Sequence, residues 1–194
     1  MLSSRGTVTA FRLEARALSK SFSGPPLFSD LSFAVESGLT AVSGRNGSGK
    51  TTLLKILAKL LPPGNGSVAV FEGSRELGGE ERRFAVGWAG LDLAFYDDFT
   101  ARENLRFFRR AAGRPASEAE ISRRLERVGL GGAIDRRVGA FSSGMKQRLR
   151  IAFATLFEAP ILILDEPAAG LDDEGRRMLD EMVAERRRAG AVVL

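Results

Sequence analysis

The chain has 194 residues, 44% hydrophobic and 27% charged, with 29 Lys and Arg against 24 Asp and Glu for a formal net charge of +5; this is the composition of a globular protein with length for one core and an inserted subdomain. It contains no cysteine and no histidine, which excludes disulfides and thiolate metal sites and removes the commonest general base and metal ligand from any mechanism. The longest apolar stretch, Ile151 to Leu164, is interrupted by Glu158 and Pro160 and is shorter than the about 20 residues of a bilayer span. The opening MLSSRGTVTAFRLEARAL has no charged region followed by an apolar core, so no secretory signal is expected and the default compartment is the cytoplasm.

In chain order, FRLEARAL (Phe11 to Leu18) alternates apolar with charged residues, the period of a strand with one wet face. LSFAVE and GSVAVFEG read the same way and predict an antiparallel edge in the N-terminal third. LTAVSG is short, mostly apolar and runs directly into a glycine loop, so it predicts a buried strand feeding that loop. From Thr51, the apolar residues Leu53, Leu54, Ile56, Leu57, Leu60 and Leu61 predict a helix that PPG stops. TARE (Thr100 to Glu103) and SEAE (Ser117 to Glu120) both fit the capping box and each starts a helix. A third helix begins near Ser142 and Ser143 and sends Leu149, Ile151, Ala152, Phe153 and Leu156 to the core. ILILDEP then returns as a buried strand ending in two carboxylates, and from about Asp173 a helix runs with acids first and arginines last, the order its dipole favours. Strands alternating with helices around a phosphate loop predict an α/β fold with a mostly parallel core sheet. The core comprises residues 1–90 and 151–194, and a helical subdomain is inserted at 91–150.

Three constellations carry chemistry. GRNGSGKTT holds Gly44, Arg45, Asn46, Gly47, Ser48, Gly49, Lys50, Thr51 and Thr52 in the spacing G-x-x-x-x-G-K-T. The glycines let backbone amides face a phosphate at a helix N-terminus, Lys50 adds a point charge at the β and γ phosphates, and the Thr51 hydroxyl suits Mg²⁺. Asp165, at the C-terminal end of a buried strand where open sheets bind ligands, is the second candidate Mg²⁺ ligand, and Glu166 beside it is placed to orient an attacking water. FSSGMKQRL puts Ser142, Ser143 and Gly144 at a helix start ahead of Lys146, Arg148 and Arg150, a second place for a phosphate. Taken alone, an S-S-G start is an N-cap and nothing more.

Together these motifs resemble the ATP-binding cassette family over essentially the whole chain. GRNGSGKT resembles its Walker A, ILILDE its Walker B, FSSGM a variant of its L-S-G-G-Q signature and AAGLD (Ala168 to Asp172) its D-loop. Phe22 in LSKSF matches its adenine-stacking aromatic, and FTARENL (Phe99 to Leu105) the opening of its helical subdomain. The compact length and SSGMKQRL are similar to short exporter-type cassettes, the haem-exporter type among them. The resemblance implies a P-loop ATPase using ATP and Mg²⁺. Two cassettes, a homodimer or a pair of different chains, would close head to tail so that ATP on one phosphate loop meets Ser142 and Gly144 of the other. The implied partner is an integral membrane transporter subunit, with this chain peripheral on the inner face of the cell membrane.

Two departures qualify that expectation. Alignment of VGWAGLDLAFYDDFTARENL places Leu91 where the family has a metal- and water-contacting glutamine; the alternatives are that the adjacent Asp92 moves into its place or that the register shifts by one residue. AGAVVL reads as a buried strand, and in the family the residues after it lead to a switch histidine. Turnover by these 194 residues is therefore expected to be slow. Residues 102 to 150 hold 13 Lys and Arg against 5 Asp and Glu, and the remainder 16 against 19. A basic helical subdomain fits work beside anionic headgroups and fits equally well an arginine-rich solvated face. The competing readings are a non-transport cassette acting on nucleic acid or ribosomes, and an ATP-binding module with impaired hydrolysis. One cassette, no heptads and no charged linker make a nucleic-acid partner unexpected.

Overall fold

In the computed structural model, which describes residues 10–194, eight strands follow one another as β1 (Phe11–Lys20), β2 (Phe28–Glu36), β3 (Gly38–Leu39), β4 (Asn65–Glu72), β5 (Arg75–Glu76), β6 (Val86–Ala89), β7 (Ile161–Leu164) and β8 (Val192–Val193). Residues 1–9, where the N-terminal stretch read for a secretory signal begins, lie outside the described residues. The helices are α1 (Lys50–Leu57), α2 (Gly79–Phe84), α3 (Ala101–Ala111), α4 (Glu118–Arg127), α5 (Ser143–Ala154) and α6 (Asp173–Arg188). Among the described residues no helix is long and apolar enough to cross a membrane.

The alternating N-terminal segments form an antiparallel sheet in the order β2-β1-β4-β5. Leu13 and Ala15 of β1 point inward opposite Val70 and Val68 of β4. The next inward residue is Leu18, three positions on, because Ala17 adopts a positive φ of 49° and the register shifts there. A bulge of this kind keeps the apolar set on one face where strict alternation would have turned it to water.

The second sheet is parallel, in the order β3-β8-β7-β6. All four residues of β7 are buried, as expected of a parallel strand covered on both sides. Its period of two sorts them. Ile161 and Ile163 enter a core with Leu13, Leu54, Ile56 and Val70, whereas Leu162 and Leu164 enter a core with Leu105, Leu125, Leu149 and Leu179. The parallel sheet is thus the middle layer, with α1 and the antiparallel sheet on one side and α3 to α6 on the other. Each fully buried side chain of this size stabilises by about 1.5–3 kcal/mol relative to exposure.

Both capping boxes form. Thr100 Oγ1 accepts from Glu103 N–H at 3.1 Å while the Glu103 carboxylate accepts from Thr100 N–H at 2.8 Å, and Ser117 and Glu120 repeat the arrangement. These bonds hold both carboxyls below their ordinary range, the backbone hydrogen bond being the largest cause in each. Arg148, 8% exposed, donates to Val128 O at 3.1 Å and to Asp172 at 2.8 Å, fastening the end of α4 to the N-cap of α6. Where β6 meets α5 the backbones nearly touch: a Cβ on Gly87 would lie 2.0 Å from Ala154 O.

Two expectations are corrected. LTAVSG is not a buried strand: only Gly38–Leu39 pairs, at the sheet edge and with β8 alone, and Leu39 is 53% exposed. The helix from the glycine loop ends at Leu57, short of Leu60 and Leu61, because Lys59 turns left-handed (φ 58°) and Leu60 N–H closes back on Lys55 O. A lysine does there what a C-terminal glycine usually does. The short α2 and β5, six and two residues, have too little length to show a period in sequence.

Candidate nucleotide-binding site

Parallel strands place their C-terminal ends along one edge of the sheet, where α/β folds hold ligands. Here β3 leads to the loop Gly44–Gly49, β7 ends at Leu164 just before Asp165, and β6 ends at Ala89 before Leu91 and Asp92. Asp165 N–H donates to Ala89 O at 2.8 Å, tying two of these ends together.

The loop itself is exposed and bends at Gly47 (φ 79°) and Gly49 (φ 92°). Gly49 is the N-cap of α1 and offers no side chain to the first amides of the helix, which leaves those of Lys50, Thr51 and Thr52 for a ligand. A side chain there would also strike Leu27, 2.6 Å from the ideal Cβ, so the segment carrying Phe22 leans directly on the loop. Of the six described helices only α1 and α5 have no acid in the first turn. These are the helices whose N-termini were read as phosphate-facing, and neither carries a carboxylate that would repel an anion.

Lys50 Nζ donates to Gly44 O at 2.8 Å and to Arg45 O at 3.1 Å, spanning the loop mouth and retaining one of three ammonium protons. Arg45 O also accepts from Ser48 N–H at 3.1 Å. Asn46 and Thr51 are exposed and Thr52 is half-buried. Phe22 is 65% exposed, its ring 5.3 Å from Lys20 Nζ.

Asp165 is 8% exposed, and no described Lys or Arg forms an ion pair with it. A buried carboxylate without a counter-charge is costly, and a divalent cation sharing it with phosphate oxygens is the usual remedy. Among the described residues no group of three or more His, Cys, Asp or Glu is built to hold a metal ion. Glu166 is exposed and held at φ 49°, a strained backbone for glutamate.

Ser142 is the exposed N-cap of α5 and its Oγ accepts from Met145 N–H at 3.2 Å; Ser143 is exposed and Gly144 half-buried. No hydrogen bond joins Ser142–Gly144 to residues 44–52 of the same chain. Leu91 is 48% exposed, and Asp92 is ion-paired with Lys55 on α1 at 2.9 Å. Sequence reasoning missed that lysine, and it missed Asn104, which is wholly buried and clasps Tyr96 through its N–H at 2.9 Å and its carbonyl at 3.0 Å. It also missed Gln147, 1% exposed. Its signal was present: Gln147 stands four and seven residues before the buried Ile151 and Ala154, in phase with the apolar stripe of α5.

Beside the site lies a groove of about 970 Å³ whose walls include Leu57, Phe84, Trp88, Phe108, Phe153 and Phe157, with Lys59, Arg82 and Arg83 also lining it. Next to it Tyr96, Phe99 and Phe107 are exposed and in mutual tilted or edge-to-face contact, with Tyr96 5.2 and 5.1 Å from the other two ring centroids.

A family profile described as ABC transporter matches residues 28–169. The chain is 35% identical over 172 residues to the ABC transporter ATP-binding protein NatA of Bacillus subtilis (strain 168), covering 85% of this chain and 69% of that one. It is 36% identical over 184 residues to the cytochrome c biogenesis ATP-binding export protein CcmA of Brucella abortus (strain 2308), covering 94% and 83%. Across such curated relatives it spans from 61% to 84% of their length. A solved ATP-binding subunit of an ABC transporter superposes with a TM-score of 0.79 at 33% identity, over 94% of this chain and 77% of the other.

Proposed function

Because the chain belongs to the ABC transporter family as an ATP-binding, ATP-hydrolysing subunit, we propose that it is one of two cassettes that close on ATP to drive a separate membrane-spanning subunit. The observation that carries the reading is the Lys50 ammonium drawn across a loop of unopposed amides, at the sheet edge where Asp165 is buried without a counter-charge. Amides of residues 45–52 and Lys50 hold the β and γ phosphates, Phe22 lies under the adenine, and Thr51 with Asp165 holds Mg²⁺. Mg²⁺, when bound, neutralises charge on the phosphate oxygens. Glu166 orients the attacking water from a backbone at φ 49°, a strained conformation that persists only because its surroundings fix it. Ser142, Ser143 and Gly144 of a second cassette complete the site, so that hydrolysis rests on positioning and charge stabilisation.

In this reading residues 1–90 and 151–194 are the nucleotide-binding core and 91–150 the signature subdomain. The apolar groove and its aromatic neighbours receive the membrane subunit, which keeps the chain peripheral on the cytoplasmic face. Turnover is slow, since Leu91 offers no polar group and Asp92 is already paired with Lys55. Two measurements test the reading. Calorimetry of Lys50→Ala is expected to show loss of tight Mg-ATP binding with the fold intact; equal affinity in the two proteins refutes the phosphate assignment. Light scattering of Glu166→Gln with ATP and Mg²⁺ is expected to show a trapped dimer. Monomer alone, with no partner cassette recovered in pulldowns, refutes the paired mechanism.

A further inference from the structure

The turn after β7, Glu166–Gly170, is closed internally by Ala169 N–H donating to Glu166 O at 3.0 Å. From elsewhere in the described chain one side chain hydrogen-bonds to it: Gln147 Nε2 donates to Pro167 O at 3.0 Å. Asp165 N–H is tied to Ala89 O on one side of Glu166; on the other, proline has no N–H to anchor, so its carbonyl is the point at which the backbone is held. Gln147 is itself fixed. Its Oε1 accepts from Arg150 Nη1 at 3.2 Å, and Arg150 Nε donates to Leu93 O at 3.1 Å, in the loop where Asp92 pairs with Lys55 at 2.9 Å. Partial burial pulls the Arg150 pKa down, opposed by the Asp92 charge.

We infer that Gln147 is a positioning residue for hydrolysis, which aims Glu166 by anchoring Pro167 to the helix whose N-terminus carries Ser142, Ser143 and Gly144. The inference rests on the reading of Glu166 as the residue that orients water. One rigid helix of 12 residues then sets both the carboxylate of its own site and the serines offered to the partner's site. Movement of α5 at the second nucleotide moves the Glu166 turn at the first. The polar chain through Arg150, Leu93, Asp92 and Lys55 carries the same displacement to α1, which begins at the phosphate loop. A buried glutamine whose sole task was to satisfy its own amide would have no reason to affect turnover beyond its effect on stability.

The test is single-turnover and steady-state hydrolysis of Mg-ATP by the 194-residue chain carrying Gln147→Met, Gln147→Glu, Glu166→Gln, or Gln147→Met with Glu166→Gln. Methionine keeps length and volume but loses both hydrogen bonds; glutamate keeps the link to Arg150 but loses the donor to Pro167 O. Both Gln147 variants are expected to lower kcat by about 10- to 10²-fold, the scale of a small misplacement of a catalytic group, with the KM for ATP within about twofold. In the Glu166→Gln background, Gln147→Met is expected to change nothing further, because the group it aims is gone. An unchanged kcat in both single variants overturns the inference, as does a rise in KM alone or an equal fall of the residual rate in the Glu166→Gln background. If Gln147→Met slows turnover and Gln147→Glu does not, the link to Arg150 is what matters and the role assigned to Pro167 falls. Full activity of Glu166→Gln alone removes the reading beneath it, and the inference with it. Thermal melts of each variant separate these outcomes from unfolding.

Discussion

Replacing Gly87 by alanine adds one methyl group where β6 and α5 approach most closely. The new Cβ would stand 2.0 Å from Ala154 O, 3.1 Å from Ala154 C and 3.3 Å from Leu162 Cδ1. Reaching even the shortest tolerable contact takes about 1 Å of separation between strand and helix. Two of the three obstructing atoms are backbone, so no rotamer change relieves the overlap. Overpacking a close-packed interior costs about 1–3 kcal/mol, and backbone-on-backbone overlap belongs at the top of that range. For a chain of this length about 3 kcal/mol lowers the melting midpoint by about 6–12 °C. Gly132→Ala is the matched control: its Cβ meets nothing within 4 Å, and its midpoint is expected to move by no more than about 0.5 kcal/mol equivalent. Circular dichroism melts of the three proteins decide the matter. If Gly87→Ala melts within about 1 °C of the unaltered chain, the strand and helix are not packed as described.

Glu166→Asn is expected to abolish hydrolysis while melting at or above the unaltered midpoint, because asparagine tolerates the positive φ that glutamate is forced into; a lower midpoint in scanning calorimetry counts against strain at this residue. Arg148→Met, which removes the donors to Val128 O and Asp172, is expected to cost about 1–3 kcal/mol in urea unfolding, since Val128 O loses its partner inside the protein; ATP affinity is unchanged, and a loss of affinity refutes a purely structural role. The carboxyls of Glu103 and Glu120 titrate lower in the folded chain than when free, chiefly through the N–H groups of Thr100 and Ser117. Their contribution is therefore complete above the unfolded value of about 4.3 and lost as pH falls through the folded one. Glu103→Gln with Glu120→Gln is expected to flatten the acid limb of a stability-against-pH curve, and an unchanged limb shows that the two caps do not contribute to it.

What the sequence discloses is local chemistry. TARE and SEAE specify both helix starts because a capping box satisfies its own amides within four residues, without help from the rest of the fold. The all-apolar ILIL marks β7 for the same kind of reason, since a strand covered on two faces leaves no polar position. The G-x-x-x-x-G-K-T spacing is likewise local, since the residues to which a phosphate-binding role is assigned lie within one loop and the first turn of one helix. What stayed hidden depends on partners far away in the chain. The shortness of β3 follows from its having one neighbour, β8, and the early end of α1 from a lysine accepting a left-handed turn that propensity assigns to glycine. Gln147 is in phase with the apolar stripe of α5 although it sits among basic residues in KQRLR, but its partner, Pro167 O, lies twenty residues on and is brought to it only by the fold. Nothing in the sequence around Lys55 points to Asp92, which only the fold brings to it.

The position of β8 bears on how the molecule is made. It is the last of the eight described strands to emerge during synthesis, yet it lies in the interior of the parallel sheet, between β3 and β7. The pairing of Gly38 with Val192 joins residues roughly 150 positions apart, so the strand that leads to the phosphate loop gains its neighbour only when nearly all of this length is available. Closing a span of that size is entropically expensive and slow compared with forming any of the helices. A nascent chain has its phosphate loop early and a firm base for it late. On the proposed reading of that loop, ATP would not favour the fold through it during most of elongation, and its stabilising effect by mass action would begin only once β8 has slotted into place.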